Sequence, residues 1–234
     1  MDYSFLQCGE GALTVHLGDG IDPAINRRVT ALQGAIGSAG LRGITDLIPA
    51  YADLTVCYDC TVISAKALQR QLRRLLDSLS VAGQDRRRVF RLPVCYGGDY
   101  GPDLDFVCHH SGLSAQEVIA LHSAPDYLIY MLGFLPGFAY LGGLDPRLHT
   151  PRLDSPRTCI PAGSVGIGGA QTGVYPLASP GGWQLLGRTP VSVFDRQRQE
   201  PILYRAGDLV HFVPISPAEY EEIARAVAAG TYTV

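Results

Sequence analysis

The hydrophobic positions in the N-terminal part of the chain switch between strand and helix spacing. Apolar and polar side chains alternate over residues 12–17, as expected of a half-buried strand. Asp22-Pro23 then predicts a helix start, with a polar N-cap followed by proline. Its apolar stripe consists of Ile25, Val29, Leu32 and Ile36, and Gly37 and Gly40 lie where the helix should end. Residues 43–51 and 53–59 have the pattern of two adjacent strands.

A second helix is predicted to begin at Ser64. Its apolar face is made of leucines 68, 72, 75, 76 and 79, and arginines 70, 73 and 74 lie on the opposite face, which is typical of a solvated surface. These elements predict a small α+β domain over residues 1–84, for which a ferredoxin-like order is one candidate. The polar segment 81–88 marks the boundary with a second domain, residues 85–234.

The second domain has the pattern of short strands and tight loops. A strand is predicted over residues 89–96, and capping boxes at Ser114–Glu117 and Ser216–Glu219 open two helices. The last helix has a predicted inner face of Tyr220, Ile223, Ala224 and Val227. Between the two boxes, residues 132–190 hold twelve of the 27 glycines and eight of the 16 prolines, which favours a mainly-β structure.

Residues 127–144 form an uncharged run of eighteen residues, which raises the question of a membrane span. The run is at the lower limit of length for a spanning helix. It also contains Pro136 and glycines at 133, 137, 142 and 143, which break helices. The pattern instead predicts a buried strand over 127–132, then a turn and a second apolar stretch.

Composition narrows the possible functions. The chain is 47% hydrophobic and 18% charged, with net charge −3, which is typical of a soluble globular protein and not of a nucleic-acid-binding domain. The N-terminal residues lack the apolar core of a signal peptide, so a cytoplasmic protein is expected. Lys66 is the only lysine and lies on a predicted helix surface, which argues against a P-loop, a pyridoxal lysine and a biotinyl lysine.

Metal and nucleophile motifs do not assign a catalytic residue. The six cysteines are scattered, and the single CxxC pair, Cys57 and Cys60, has no second pair to complete a zinc site. Residues 163–166 (GSVG) do not form a GxSxG nucleophile elbow, and HExxH is absent from the sequence. We therefore predict no metal and leave the catalytic residues unassigned.

The glycine-rich segments 161–176 and 179–190 contain many backbone amides and no acidic residue. Glycines allow backbone N–H groups to approach a ligand closely, and such concavities favour anions. The side chains that could add hydrogen bonds or a stacking surface are Gln171, Thr172, Tyr175, Trp183 and Gln184. His149 lies between Arg147 and Arg152, although a loop histidine facing solvent explains it equally simply. The alternative is that the glycines only turn the corners of a barrel, and the residues leave both interpretations open.

Residues 133–190, together with 93–105 and 18–29, resemble the allophanate hydrolase subunit 1 family. That family includes the B subunit of bacterial 5-oxoprolinase, a sporulation-kinase inhibitor and half of the carboxyltransferase region of urea carboxylase. The resemblance implies an α+β N-terminal domain followed by a mainly-β, cyclophilin-like barrel domain.

The resemblance further implies one component of an ATP-dependent lactam hydrolase that opens 5-oxoproline to glutamate. The expected partners are an allophanate hydrolase subunit 2-like protein (the C subunit of 5-oxoprolinase) and the A subunit of 5-oxoprolinase, with ATP and Mg in the assembled complex and no cofactor evident for this chain alone. The expected substrate-binding residues are Arg152, Gln171, Thr172, Tyr175 and Arg188, with His149, Trp183 and Gln184 as further candidates. Two alternatives stay open: a histidine-kinase inhibitor acting as a binding module, and a carboxyltransferase or allophanate hydrolase subunit 1 acting on urea-derived substrates.

Overall fold

The computed structural model describes residues 3–80 and 87–233, which belong to two compact units. The boundary predicted at residues 84 and 85 lies outside the described residues. The elements of the first unit are β1 Ser4–Cys8, β2 Ala12–His16, α1 Pro23–Ala39, β3 Ile44–Pro49, β4 Asp53–Tyr58 and α2 Ala65–Asp77. It is therefore an α+β unit, with strand and helix positions close to those predicted from hydrophobic spacing.

The sheet of the first unit has the order β1-β2-β4-β3, with antiparallel neighbours throughout. Helix α1 connects β2 to β3, and β4 is inserted between those two strands, which makes a split βαβ arrangement. The edge beside β2 is occupied by β1, a strand that the sequence pattern did not predict. Alternate residues of β2 and β4, including Leu13, Val15, Leu54 and Val56, are buried in the core.

Both helices of this unit begin as the capping residues predict. The Asp22 side chain accepts a hydrogen bond from the Ala24 N–H at 2.6 Å, and Pro23 is the first helical residue. Helix α1 ends at Gly40, whose φ of 56° is left-handed, a conformation that glycine adopts at little cost. Helix α2 buries Leu68, Leu72 and Leu76, as the leucine spacing predicted.

The second unit is built around a barrel. Its elements are β5 Val89–Tyr96, α3 Leu104–Ser111, α4 Ala115–Ser123, β6 Asp126–Leu132, β7 Ala139–Gly142, a 3₁₀ turn Pro146–Leu148, β8 Arg157–Ile160, β9 Ser164–Gly168, β10 Gln171–Val174, β11 Ser179–Gly181, β12 Gln184–Arg188, β13 Leu209–Ile215 and α5 Pro217–Ala228. Seven strands close in the order β10-β7-β6-β13-β5-β12-β9. Strands β8 and β11 form a separate two-stranded sheet. This confirms the predicted fold class, an α+β unit followed by a mainly-β barrel unit.

The uncharged run 127–144 belongs to this barrel. Residues 127–130 are buried in β6, and Leu141 of β7 is fully buried as well. The buried strand, the turn and the second apolar stretch are as predicted, and the two stretches pair as antiparallel strands. In the parts of the chain that the structure describes, no helix has both the length and the apolar character needed to cross a membrane.

Two helices of the second unit differ from the sequence prediction. Helix α3 was not predicted, and its first turn contains the buried Leu104. Helix α5 starts at its capping box, but none of its residues is buried, and Tyr220, Ile223, Ala224 and Val227 are only half-buried. The predicted inner face is therefore the less exposed side of the helix, but it is only partly covered. The helix lies on the surface of its unit against β5, so one side of its apolar stripe remains accessible.

Candidate functional site

Five apolar side chains pack together against the outer face of the barrel wall: Phe138, Ile160, Tyr175, Trp183 and Leu185. We call this cluster the aromatic shelf. The strands beneath it explain its position. Val165 and Ile167 of β9 belong to the barrel core, so Gly166 and Gly168 between them face outward. The shelf thus covers a stretch of barrel wall that carries no side chains of its own.

Two glycines allow the Trp183 indole to lie against the backbone. A Cβ atom added to Gly168 would lie 2.4 Å from Trp183 Nε1, and one added to Gly173 would lie 3.1 Å from Trp183 Cζ3. The first distance is shorter than any van der Waals contact. These glycines are therefore required for packing as well as for turns, because the indole lies where their side chains would be. Phe138 and Tyr175 meet the Trp183 ring edge-on, with centroids 5.5 and 6.2 Å away.

The loop of residues 149–156 is fixed beside the shelf. The Leu153 N–H donates to the Gly182 carbonyl at 2.7 Å, and the Gly169 N–H donates to the Thr150 carbonyl at 2.8 Å. Between these anchors the buried Gln184 side chain donates to the Pro151 carbonyl at 3.0 Å. Gln184 therefore acts as a support for the loop, and its amide nitrogen is already engaged.

This loop places Arg152 over the shelf. The Arg152 Cζ atom lies 5.9 Å from the centroid of the Trp183 ring, within the range of a cation–π contact. The side chain is exposed, and it has no acidic partner among the residues that the structure describes. Its guanidinium is thus positioned by an aromatic ring while its N–H donors remain accessible.

Arg157, by contrast, forms a structural ion pair with Asp103. Its guanidinium donates to Asp103 Oδ1 at 2.6 Å and to the Trp183 carbonyl at 3.4 Å. The other oxygen of Asp103 accepts from the Leu185 N–H at 2.6 Å. Asp103 therefore ties the start of α3 to β12 and neutralises Arg157, which leaves Arg152 as the cation of the shelf that can meet an anionic ligand.

The Tyr175 hydroxyl lies under the same loop. Burial raises the pKa of this phenol, while the Trp183 backbone N–H and the Arg152 guanidinium act in the opposite direction. The phenol therefore stays protonated at neutral pH. Of the predicted residues, the structure brings together Arg152, Tyr175 and Trp183, with Gln184 in support. His149 is exposed at the start of the loop, and Gln171 is half-buried opposite Gly168.

Arg188 lies elsewhere. It is the last residue of β12, whereas Trp183 directly precedes that strand, so about 16 Å of extended chain separates the two positions. Arg188 pairs in register with Cys95 on one side and Ser164 on the other, and Tyr220 of α5 is a hydrogen-bond partner. Arg188 Nε and Ser164 Oγ are buried without a hydrogen-bond partner. The two predicted arginines therefore belong to separate places on the barrel.

Thr172 lies inside the barrel, fully buried. Its hydroxyl donates to the Gly166 carbonyl at 3.0 Å, so the His122 Nε2 atom, 2.8 Å away, must be the donor to it. The His122 Nδ1 atom then accepts from the Tyr96 hydroxyl at 2.8 Å. The neutral tautomer of His122 with its proton on Nε2 therefore satisfies every hydrogen bond in this series. Burial lowers the His122 pKa to about 3. Thr172 therefore holds the interior together and has no free hydrogen-bond donor for a ligand.

Sequence reasoning missed His122, Asp103 and Ser164. His122 gave a partial signal, because the capping box at Ser114 predicts a helix that ends near it. Its partners on β5 and β10 are distant in sequence, so no local pattern could have shown them. Asp103 resembles any helix-capping aspartate until its contacts with Arg157 and Leu185 are seen.

The groups present at the candidate site determine which kind of ligand it suits. Across residues 3–80 and 87–233, no group of three or more His, Cys, Asp or Glu side chains is arranged to hold a metal ion. The six cysteines are free thiols. The five shelf side chains are buried, with at most 5% of their surface exposed, so the group that this region presents to a ligand is the Arg152 guanidinium, which suits a small anion.

Comparison with known proteins places this chain in a family. Residues 3–204 match the family described as "Carboxyltransferase domain, subdomain C and D". The chain belongs to this carboxyltransferase C/D family. Within the family, the chain is 42% identical to the B subunit of 5-oxoprolinase from Bacillus subtilis (strain 168), over 93% of this chain and 95% of the relative. It is 45% identical to the corresponding B subunit from Escherichia coli O157:H7, over 88% of this chain and 93% of the relative. These matches confirm the resemblance identified from the sequence.

Solved structures show the same fold. The crystal structure of TTHA0988 is 41% identical with a TM-score of 0.76, and the match covers 88% of this chain and 40% of that one. The chain thus spans well under half of TTHA0988. Kluyveromyces lactis urea carboxylase, at 22% identity, has a TM-score of 0.83 over 99% of this chain and 23% of its own, which supports the fold alone.

Proposed function

We propose that the chain is the B subunit of an ATP-dependent 5-oxoprolinase and acts with separate A and C subunits. The observation that carries this proposal is the identity of 42–46% to three relatives of that name, two of which match over most of both lengths. The exposed Arg152 guanidinium adds physical support, because the substrate carries a carboxylate.

In the proposed role, Arg152 binds the carboxylate of 5-oxoproline through charge-assisted hydrogen bonds. The buried Trp183 ring positions the Arg152 guanidinium, whose Cζ atom lies 5.9 Å from the ring centroid. In this role the chain binds and orients the substrate, and correct orientation raises the rate of the reaction.

The chemistry of the substrate explains the need for ATP. The lactam carbonyl is a poor electrophile, and transfer of the γ-phosphoryl group of ATP to its oxygen, with loss of the ring N–H proton, releases ADP and activates the carbon. One water then opens the ring C–N bond, and a second displaces the phosphoryl group, so that glutamate and phosphate are released. We assign the activation to the B and C subunits together, with Mg accompanying the nucleotide, and ring opening to the A subunit.

The first test is glutamate release from 5-oxoproline and ATP by this chain with the A and C subunits, omitting each component in turn. Activity should be lost without this chain and restored by adding it. An assembled, folded complex that releases no glutamate would overturn the proposal.

The second test concerns the shelf. Arg152→Ala should lower kcat/KM for 5-oxoproline by about 10- to 100-fold, as expected for one charge-assisted interaction, with little change in the KM for ATP. Arg91→Ala is the matched control, because Arg91 is exposed on β5 outside the shelf. Full activity of the Arg152 variant would remove the shelf from the substrate site.

A second candidate function is a carboxyltransferase acting on urea-derived substrates. The family description favours it, as does 26% identity to a putative urea carboxylase of Emericella nidulans over 98% of this chain and 22% of that protein. Transfer of a carboxyl group from a biotinylated partner to urea, in the absence of glutamate release, would favour this function over the first.

A further inference from the structure

The first unit contains a cavity of about 610 Å³ that the proposed oxoprolinase role does not use. It lies where α1 ends, where the chain enters β3 and where the loop from β4 approaches α2. Gly40, Arg42, Val62 and Gln71 are among its lining residues. The volume is within the range of sites that hold small molecules.

The wall of the cavity is preformed by close backbone packing. Gly43 has a φ of +87°, and a Cβ atom added there would lie 3.0 Å from Ile63 Cγ2 and 3.1 Å from Val62 Cγ1. The Gly43 carbonyl also accepts from the Asp59 N–H at 2.8 Å. A side chain at position 43 would push these two segments apart, so the glycine keeps the wall closed on that side.

One side of the cavity offers hydrogen-bond acceptors that need donors. The side-chain amide oxygen of Gln71 is buried and has no hydrogen-bond partner. Helix α1 ends at Gly40 with no basic residue in its last turn, so its C-terminal carbonyl groups carry uncompensated negative partial charge. Because a buried unpaired acceptor is costly, a ligand N–H that pairs with this oxygen would stabilise this side.

The other side offers a cation. Arg42 lines the cavity, is exposed and has no acidic partner among the described residues. The nearby Asp59 carboxylate is engaged by Thr61, accepting from its backbone N–H at 2.9 Å and its hydroxyl at 2.7 Å. Arg42 is therefore available to an anion, and the half-exposed Val62 gives the cavity an apolar wall.

We propose that this cavity binds a small carboxylic acid that carries an amide N–H. The carboxylate pairs with Arg42, and the N–H donates to Gln71 and to the carbonyl end of α1. An ammonium group fits less well than an amide, because no carboxylate is among the described residues that line the cavity to neutralise a full positive charge. This inference is independent of the oxoprolinase proposal, because it rests only on residues of the first unit.

Two probes that differ in one group test the proposal: N-acetylglycine and levulinate, in which a methylene replaces the N–H. Each is titrated into the isotope-labelled full chain, and amide resonances are followed by NMR. N-acetylglycine should shift resonances of residues 40–43, 61–63 and the Gln71 side chain. Levulinate should bind about five- to tenfold more weakly, the effect expected for one hydrogen bond.

Variants locate the binding site. Gln71→Met should weaken N-acetylglycine binding to the level of levulinate, and Arg42→Ala should abolish the shifts for both probes. The matched controls are Gln69→Met on the same helix and Arg70→Ala on its exposed face, neither of which lines the cavity. Absence of shifts at millimolar N-acetylglycine, equal binding of the two probes, or unchanged binding by Gln71→Met would each overturn the proposal.

Discussion

Replacing Thr172 with valine tests whether the barrel interior depends on the hydrogen-bond chain through His122. Valine preserves the shape and β-branching of threonine while removing the hydroxyl. In the wild type that hydroxyl accepts from His122 Nε2 and donates to the Gly166 carbonyl, at 2.8 and 3.0 Å. Thr172→Val therefore leaves the buried His122 N–H without its partner and removes one donor from the Gly166 carbonyl, which also belongs to the β9 ladder.

The expected cost follows from those two groups. Each buried group that loses its partner costs about 1–3 kcal/mol, and the added methyl group offsets a part of that. We expect the free energy of unfolding of the barrel unit to fall by about 2 kcal/mol, or by about 4–8 °C in Tm for a unit of this size. Thr158→Val is the control, because Thr158 is exposed on β8 and should change stability by less than about 0.5 kcal/mol.

Tryptophan fluorescence during urea unfolding measures this effect in the correct unit. The chain has one tryptophan, Trp183, which packs on the outside of the barrel. Its signal therefore reports unfolding of the barrel unit. If Thr172→Val unfolds at the same urea concentration as the wild type, the inferred tautomer and hydrogen-bond chain are incorrect.

Two further predictions concern the same unit. Because burial holds the His122 pKa near 3 while an unfolded imidazole titrates near 6.5, unfolding takes up a proton between these pH values, and the free energy of unfolding should fall by about 1.4 kcal/mol per pH unit as pH decreases through this window. His122→Gln should remove that part of the pH dependence measured by urea unfolding, and an unchanged slope would contradict a neutral buried imidazole. Gly168→Ala should destabilise the barrel by about 1–3 kcal/mol and shift the Trp183 emission, because its methyl group would displace the indole, whereas Gly169→Ala at the adjacent hairpin tip should leave the emission unchanged.

Local signals predicted the helices and strands whose causes are local. Asp22-Pro23, Ser64 and the two capping boxes located helix starts, because each cap acts within one turn of its own helix. Strand β5 matched residues 89–96 because the apolar residues 92–95 fit a strand buried in a barrel. Burial of α5 could not be predicted in this way, because it depends on what lies beside the helix and not on its own periodicity.

The candidate site was predicted only where the residue type itself sets the chemistry. The glycine-rich segments left a ligand site and simple barrel corners equally open; Trp183 and Arg152 meet there, and ligand binding by them stays a prediction. Spacing could not tell which arginine would be paired, because the partner of Arg157 is Asp103, far away in sequence. Gln171 and Thr172 are neighbours in β10, and only the barrel decides that Thr172 faces the core.

The pairing of β5 with β13 has a consequence for how the protein is made. Strand β13 runs parallel to β5 over seven residue pairs and is antiparallel to β6, so it joins two strands synthesised long before it. Until residues 209–215 emerge from the ribosome, β5 and β6 have unpaired edges and the barrel cannot close. Such long-range contacts form slowly, and open edges favour association with other chains. Nascent chains stalled before β13 should therefore engage chaperones, and the barrel should become protease-resistant only after this strand is released.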